Sequence, residues 1–177
     1  IFPSTTMSVA LAAELENGGA VADSLDDFES RPQQLEMCTR VAEAFNAGKH
    51  LVVEAGTGVG KSLAYLLPAA AWSESGARKV VISTNTKNLQ SQLFNKDLPL
   101  LERALGRELG AALLKGRRNY LCLRKLLYVL REAGTELDEI TRAAILPVLV
   151  WAARSETGDI AECGPLFLPD ALDLIDK

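Results

Sequence analysis

The sequence has no long apolar run, few cysteines and a single histidine. No apolar run reaches the ~18 residues of a membrane-spanning helix, so no membrane segment is predicted. Residues 7–13 end in small apolar side chains but lack the basic flank of a signal peptide. Three scattered cysteines cannot form a disulfide framework, which favours a reducing, cytoplasmic setting. His50 has no partner in the pattern and is interpreted as a surface or structural histidine.

Basic residues are absent from the first 30 positions, which hold six acids. Residues 87–131 hold ten bases and three acids, a net charge of +7, whereas residues 132–177 hold three bases and ten acids, a net charge of −7. The positive electrostatic field of residues 87–131 favours a polyanionic partner. Two alternatives remain open: the basic segment is a solvated helical face, or it is neutralised by the acidic tail.

The order of patterns predicts an α/β fold with a parallel sheet and flanking helices. The first 30 residues are expected to form a poorly packed acidic arm with one short helix. Three short apolar runs are predicted strands, at 50–54, 79–84 and 111–115. Helices are predicted from Pro32 to Phe45, over 61–72 with an interruption near Pro68, over 87–105 with a break near Leu98 and Pro99, over 119–132, and over 137–154 with a kink at Pro147.

A glycine-rich loop stands between the first predicted strand and a helix. Its sequence fits the pattern GxxxxGK[ST], except that Ala55 replaces the first glycine. Such a loop turns its backbone N–H groups toward phosphate, next to the positive end of a helix. Lys61 is predicted to reach the β- and γ-phosphates and Ser62 to bind Mg²⁺. The predicted nucleotide-binding residues of the loop are Gly56, Thr57, Gly58, Val59, Gly60, Lys61 and Ser62.

Polar residues flank this loop on both sides. A glutamine in the upstream Arg-Pro-Gln-Gln segment can read adenine, because its amide offers a donor and an acceptor. Short polar side chains after the second predicted strand suit contact with a nucleic-acid backbone. The basic residues at the end of the third predicted strand suit the same contact, and the ring of Tyr120, which follows them, could stack on a base. The predicted nucleic-acid contacts are Thr84, Asn85, Thr86, Gln90, Lys115, Arg117 and Arg118.

Four segments, taken together, resemble the DinG-type helicases, bacterial relatives of the XPD helicase in superfamily 2: RPQQLEM, EAGTGVGKS, STNTKNLQSQL and KGRRNYLC. The resemblance implies adenine recognition by Arg31 and Gln34, a RecA-like first motor domain, and use of ATP and Mg²⁺. It also implies 5′→3′ translocation on single-stranded DNA with duplex unwinding. The implied organisation is an acidic arm over 1–30, part of the RecA-like domain over 31–118, and the start of a helical, iron–sulfur-type insertion over 119–177.

The Asp-Glu-x-His motif that such helicases need for hydrolysis is missing from the sequence. Asp138-Glu139 does not follow an apolar strand and is interpreted as the exposed start of a helix. The chain therefore resembles the N-terminal portion of a helicase, and the remainder of that helicase is an expected partner. Alone it is expected to bind nucleotide without turnover. The alternative is a non-hydrolysing nucleotide-sensing or nucleic-acid-binding module.

Cysteine is too scarce here for a complete 4Fe–4S cluster, which needs four thiolates. Cys122 matches the first cluster ligand of the family, with a buried apolar thiol as the alternative. Cys163 has no neighbouring cysteine and receives no ligand role. Cys38 is interpreted as a small core residue on a helix.

Overall fold

The computed structural model describes residues 10–25, 29–74, 79–132 and 139–166. These residues belong to two compact units, residues 1–113 and residues 114–177. The described helices of the first unit are α1 (Ala20–Asp23), α2 (Pro32–Ala47), α3 (Lys61–Glu74), α4 (Lys87–Gln92) and α5 (Leu98–Leu105). Those of the second are α6 (Leu123–Glu132) and α7 (Glu139–Ala152), with 3₁₀ segments at Arg117–Asn119 and Ile160–Leu166. None of the described helices is long and apolar enough to cross a membrane.

Helices α2 and α3 form the centre of the first unit. The prediction for α2 is confirmed: Pro32 lies in its first turn, and Gly48 ends it in the left-handed conformation with φ 61°. The rings of Phe45 and Trp72 stack at 5.4 Å between centroids and join the two helices. Both rings lie in the last turns of their helices, so this stack joins the C-terminal ends of α2 and α3.

The predicted interruption of α3 near Pro68 is wrong, because the helix runs unbroken from Lys61 to Glu74. Pro68 removes one backbone donor, which costs about 3 kcal/mol in an exposed helix. Its ring is fully buried here, between the buried residues Leu67 and Ala69. The apolar burial of this stretch offsets the lost hydrogen bond.

The predicted break near Leu98 is present, but as a change of helix type. A π-helical turn, Leu93–Asp97, connects α4 to α5. Pro99 lies in the first turn of α5, where a proline is tolerated because no intrahelical donor is needed there. The chain therefore continues as a helix through the predicted break.

Residues 10–25 of the predicted acidic arm contribute to the core of the first unit, where the sequence predicted poor packing. Leu15 and Val21 are fully buried and belong to the same apolar cluster as Leu67 and Leu101. The acidic composition hid these apolar positions, whose burial stabilises the unit by roughly 1.5–3 kcal/mol for each side chain. Deleting this segment would therefore open the core of the unit.

The structure does not confirm the three predicted strands at 50–54, 79–84 and 111–115. No strand is assigned anywhere in the described ranges, and their one isolated bridge joins Tyr120 to Asp159. The side chains of Val52, Val81 and Leu114 are 96%, 88% and 80% exposed. Apolar β-rich runs with this exposure are typical of strands that lack their neighbours. The parallel sheet therefore stays a prediction.

The second unit is a helix pair closed by a hydrogen-bonded loop. Leu126 of α6 packs with Val148 of α7 in a small apolar cluster. Helix α6 begins at Leu123, later than predicted, because Leu121 N–H donates to the Gly158 carbonyl at 2.9 Å. Helix α7 begins at Glu139, which is exposed, as the sequence predicted; Asp138 lies outside the described residues.

Candidate nucleotide and nucleic-acid site

The glycine-rich loop has the backbone shape that phosphate binding requires. Gly58 and Gly60 have φ values of 81° and 79°, in the left-handed region that favours glycine. Helix α3 begins at Lys61, directly after Gly60. The loop therefore leads into the positive end of a 14-residue helix, as the sequence predicted.

The Lys61 ammonium is folded back onto its own loop. Its Nζ donates to the Ala55 carbonyl at 2.9 Å and also to the Gly56 carbonyl. These two contacts hold a positive charge inside the curve of the loop. A nucleotide phosphate entering the loop would exchange these neutral acceptors for charged oxygens, which form stronger hydrogen bonds.

Arg31 and Gln34 contact the phosphate loop itself. Arg31 Nη1 donates to the Gly58 carbonyl, and Gln34 Nε2 donates to the Gly60 carbonyl at 3.0 Å. Gln34 is 3% exposed, so its amide lies beneath the loop. The structure thus brings together the two segments that the sequence assigned to one nucleotide site, and it uses the Gln34 donor for backbone support.

Gly60 is required by the position of Gln34. A Cβ at residue 60 would lie 2.2 Å from Gln34 Nε2 and 2.9 Å from its Cδ. The left-handed backbone adds a second penalty for any other residue type. The loop conformation and the Gln34 amide are therefore mutually dependent.

Gln34→Ala is expected to weaken ATP and GTP binding equally, by about fivefold, because one net hydrogen bond of ~1 kcal/mol to the loop is lost. Equilibrium titration of both nucleotides measures this. Gln33→Ala is the matched control, since Gln33 is the exposed neighbour on the same helix turn. A loss restricted to ATP would show instead that Gln34 reads the adenine base.

Ser62 is supported by Tyr65, one turn later on α3. The Ser62 side chain hydrogen-bonds to the Tyr65 phenol. Half-burial raises the pKa of Tyr65 above its usual value, and the Asp97 carboxylate adds to this, while the bond from Ser62 opposes it. The i,i+3 spacing on a helix was the sequence signal for this contact, and the sequence analysis missed it.

The residues after the second extended segment cap a helix. Thr86 is the N-cap of α4, and its Oγ1 accepts from Leu89 N–H at 3.2 Å. Thr84 Oγ1 donates to the Thr86 carbonyl at 3.3 Å. Asn85 is exposed between them. These contacts give the predicted nucleic-acid segment a defined backbone, while Gln90 lies further along the same helix.

In the second unit, Lys115 forms an ion pair, whereas Arg117 and Arg118 are exposed. Its Nζ forms an ion pair with Asp159 Oδ2, and the two side chains are 13% and 9% exposed. Its backbone N–H donates to Tyr120 Oη at 2.7 Å, so the expected stacking ring also has a structural contact. Arg117 and Arg118 are exposed in a 3₁₀ turn. Lys115 therefore differs from the free cation that the sequence predicted.

The three cysteines have different chemistry. Burial raises the pKa of the Cys38 thiol to about 12, in agreement with a core role, and burial also raises the pKa of Cys163. Cys122 lies just before α6, where the backbone N–H of Lys125, and that of Arg124, lower the pKa of its thiol. A lowered pKa favours the thiolate form of Cys122.

A complete iron–sulfur cluster does not fit these residues. Such a cluster needs four thiolates, and the chain has three cysteines, of which only Cys122 has a lowered thiol pKa. Within the ranges that the structure describes, no group of three or more Cys, His, Asp or Glu side chains could hold a metal ion. A ligand role for Cys122 stays a prediction.

Residues 31–133 match the DEAD/DEAH box helicase family, and this range contains the phosphate loop together with Arg31, Gln34 and Lys61. The chain belongs to this family. Membership implies a RecA-like P-loop fold and the use of ATP with Mg²⁺, and it confirms the resemblance found from the motifs. The residues of the loop fit that use, since the two left-handed glycines and Lys61 form a phosphate cradle.

Curated relatives of this helicase-family chain are bacterial. The chain is 43% identical over 145 residues to the ATP-dependent DNA helicase YoaA of Haemophilus influenzae, covering 82% of the chain and 22% of the relative. It is 55% identical over 151 residues to the ATP-dependent helicase DinG of Mycobacterium tuberculosis, covering 76% and 23%. It is 38% identical over 149 residues to the 3′-5′ exonuclease DinG of Bacillus subtilis, covering 84% and 16%. The chain thus spans about a fifth of the length of these relatives.

Proposed function

We propose that this chain is the ATP-binding part of a DNA helicase that couples ATP hydrolysis to 5′→3′ translocation on single-stranded DNA and to duplex unwinding. The observation that carries this proposal is the phosphate loop, braced by Gln34 and Arg31 and followed by a helix that starts at Lys61. Membership of the helicase family supports the coupling of this loop to nucleic acid. The proposed setting is the cytoplasm.

The loop residues have separate roles in the proposed site. The backbone N–H groups of the loop, from Gly56 through Thr57 and Val59 to Gly60, surround the phosphates, and Lys61 neutralises them. Ser62 is the residue that would hold Mg²⁺, with its hydroxyl kept in place by Tyr65. When bound, the metal ion neutralises charge that develops on the phosphates.

Single-stranded DNA is the proposed partner of two regions. Asn85 is exposed between Thr84 and Thr86, and Arg117 and Arg118 are exposed in the second unit. Phosphate contacts from such side chains position a strand without reading its sequence. The basic charge of residues 87–131 supports an anionic partner.

The test compares the chain with a longer protein that carries it. The chain alone is expected to bind ATP but to show no steady-state ATPase activity, with or without single-stranded DNA, because it contains no Asp-Glu-x-His motif. The longer protein is expected to unwind duplexes with a 5′ overhang and to lose this activity in Lys61→Ala. A longer protein that prefers a 3′ overhang would contradict the direction. If the chain alone hydrolyses ATP and Lys61→Ala abolishes this hydrolysis, the prediction that the chain binds ATP without turnover is wrong.

A further inference from the structure

Helix α6 has one face in the core and one face in solvent. Leu126 and Val129 are buried, and Leu130 packs beside them. The opposite face carries Arg124, Tyr128 and Arg131, which are all exposed and are spaced by four and three residues. Side chains at this spacing form one continuous stripe on a helix.

The charge of the stripe is not neutralised by the described part of the chain. Neither Arg124 nor Arg131 makes an ion pair with a described acidic side chain, in contrast to Lys115 with Asp159. Residues 123–131 contain three bases and no acid. The stripe is thus a cationic surface for which the described residues offer no acidic partner.

Tyr128 gives this surface a ring that can stack. Its side chain is 66% exposed, and the described residues offer it no hydrogen bond and no aromatic partner. An exposed ring between two cations is the arrangement with which proteins hold single strands, because every base has a face that can stack.

We propose that the stripe of Arg124, Tyr128 and Arg131 binds single-stranded nucleic acid, with a base stacked on Tyr128 and the two arginines on flanking phosphates. The two arginines are seven residues apart, a rise of about 10 Å along the helix. Stacked nucleotides repeat at about 3.4 Å, so the stripe spans about three of them. This inference rests on the proposed function, since it assigns a new surface to the same partner.

The experiment measures binding of a fluorescent oligothymidine to the whole chain over a range of salt concentrations. The double variant Arg124→Ala, Arg131→Ala should reduce the magnitude of the slope of log K against log[salt] by about 1.4, since each phosphate contact on a single strand contributes roughly 0.7 to that slope. Tyr128→Ala should weaken binding roughly tenfold and leave the slope unchanged. Tyr128→Phe should retain parental affinity, because the ring is kept.

Two controls separate stacking from charge and from folding. Arg142→Ala removes one positive charge from an exposed position on α7 and should leave the slope unchanged. The parent should bind an oligonucleotide of abasic sites roughly tenfold more weakly than it binds oligothymidine. Tyr128→Ala should bind the two oligonucleotides with equal affinity. Far-UV circular dichroism confirms that each variant is folded.

The proposal and the proposed function fail in different ways. If the parent binds oligothymidine and Tyr128→Ala binds it equally well, the stripe is not a binding site and the proposed partner stands. If the parent binds no single strand even at low salt, the stripe and the proposed single-stranded DNA contacts of this chain are both overturned. If sedimentation shows a dimer that Tyr128→Ala abolishes, the stripe takes a second copy of the chain and the proposal is wrong.

Discussion

Lys61→Ala is expected to weaken ATP binding to this chain about tenfold and to leave AMP binding unchanged. A charge-assisted hydrogen bond contributes about 1.5–3 kcal/mol. Part of that gain is offset, because Lys61 must leave the carbonyls of Ala55 and Gly56 when it reaches phosphate. The remaining ~1.4 kcal/mol corresponds to a factor of ten. AMP lacks the β- and γ-phosphates that the ammonium would meet.

Titration of both nucleotides into parent and variant measures this difference. Lys49→Ala is the matched control, since Lys49 is an exposed lysine after α2. Thermal unfolding without nucleotide should show a small loss in Lys61→Ala, because two contacts inside the empty loop disappear. Equal losses for AMP and ATP would mean that Lys61 only supports the loop.

The phosphate loop could be predicted from the sequence because all of its determinants are local. Two left-handed glycines, a lysine and a helix start follow one another within a few residues. The contact of Gln34 with Gly60 could not be predicted in the same way, because it joins residues 26 positions apart. The motif indicated that Gln34 belongs to the nucleotide site, but only the packing of α2 against α3 shows its amide beneath the loop.

The predicted strands show that local composition alone does not establish a sheet. The runs containing Val52 and Val81 have the composition of buried strands, and the structure leaves these two residues exposed. Composition reports what a segment prefers, whereas a ladder needs a neighbouring backbone to accept its hydrogen bonds. The local preference is therefore present without the pairing.

The basic segment divides according to contacts that composition cannot show. Counting charges gave three alternatives: a nucleic-acid surface, a partner for the acidic tail, or a solvated helical face. Lys115 follows the second alternative with Asp159, whereas Arg117 and Arg118 remain exposed. The two residues of the ion pair are 44 positions apart, and nothing in the local pattern around Asp159 indicates the pairing. The sequence analysis therefore missed Asp159.

Lys115→Met is expected to lower the free energy of unfolding of the second unit by about 2 kcal/mol. Removing one partner of a buried ion pair weakens the compensation of the other charge, which costs 3–5 kcal/mol at full burial and less for side chains that are partly exposed or keep other contacts. The Asp159 carboxylate would keep its bond from Ala161 N–H at 3.1 Å but lose the ammonium. Denaturant-dependent hydrogen exchange over residues 114–166 measures the change in this unit.

Two further variants decide whether the loss belongs to the ion pair. Arg117→Met removes an equal charge from an exposed position in the adjoining turn and should change the free energy of unfolding by less than about 0.5 kcal/mol. Adding Asp159→Asn to Lys115→Met should recover part of the loss, because the buried charge disappears while the acceptor for Ala161 N–H remains. If Lys115→Met leaves the stability unchanged but reduces the salt dependence of DNA binding, Lys115 contacts phosphate and the ion pair is dispensable. The ion pair predicts that Lys115→Met lowers the stability and leaves the salt dependence of DNA binding unchanged. The reason is that the Asp159 carboxylate already neutralises the Lys115 ammonium.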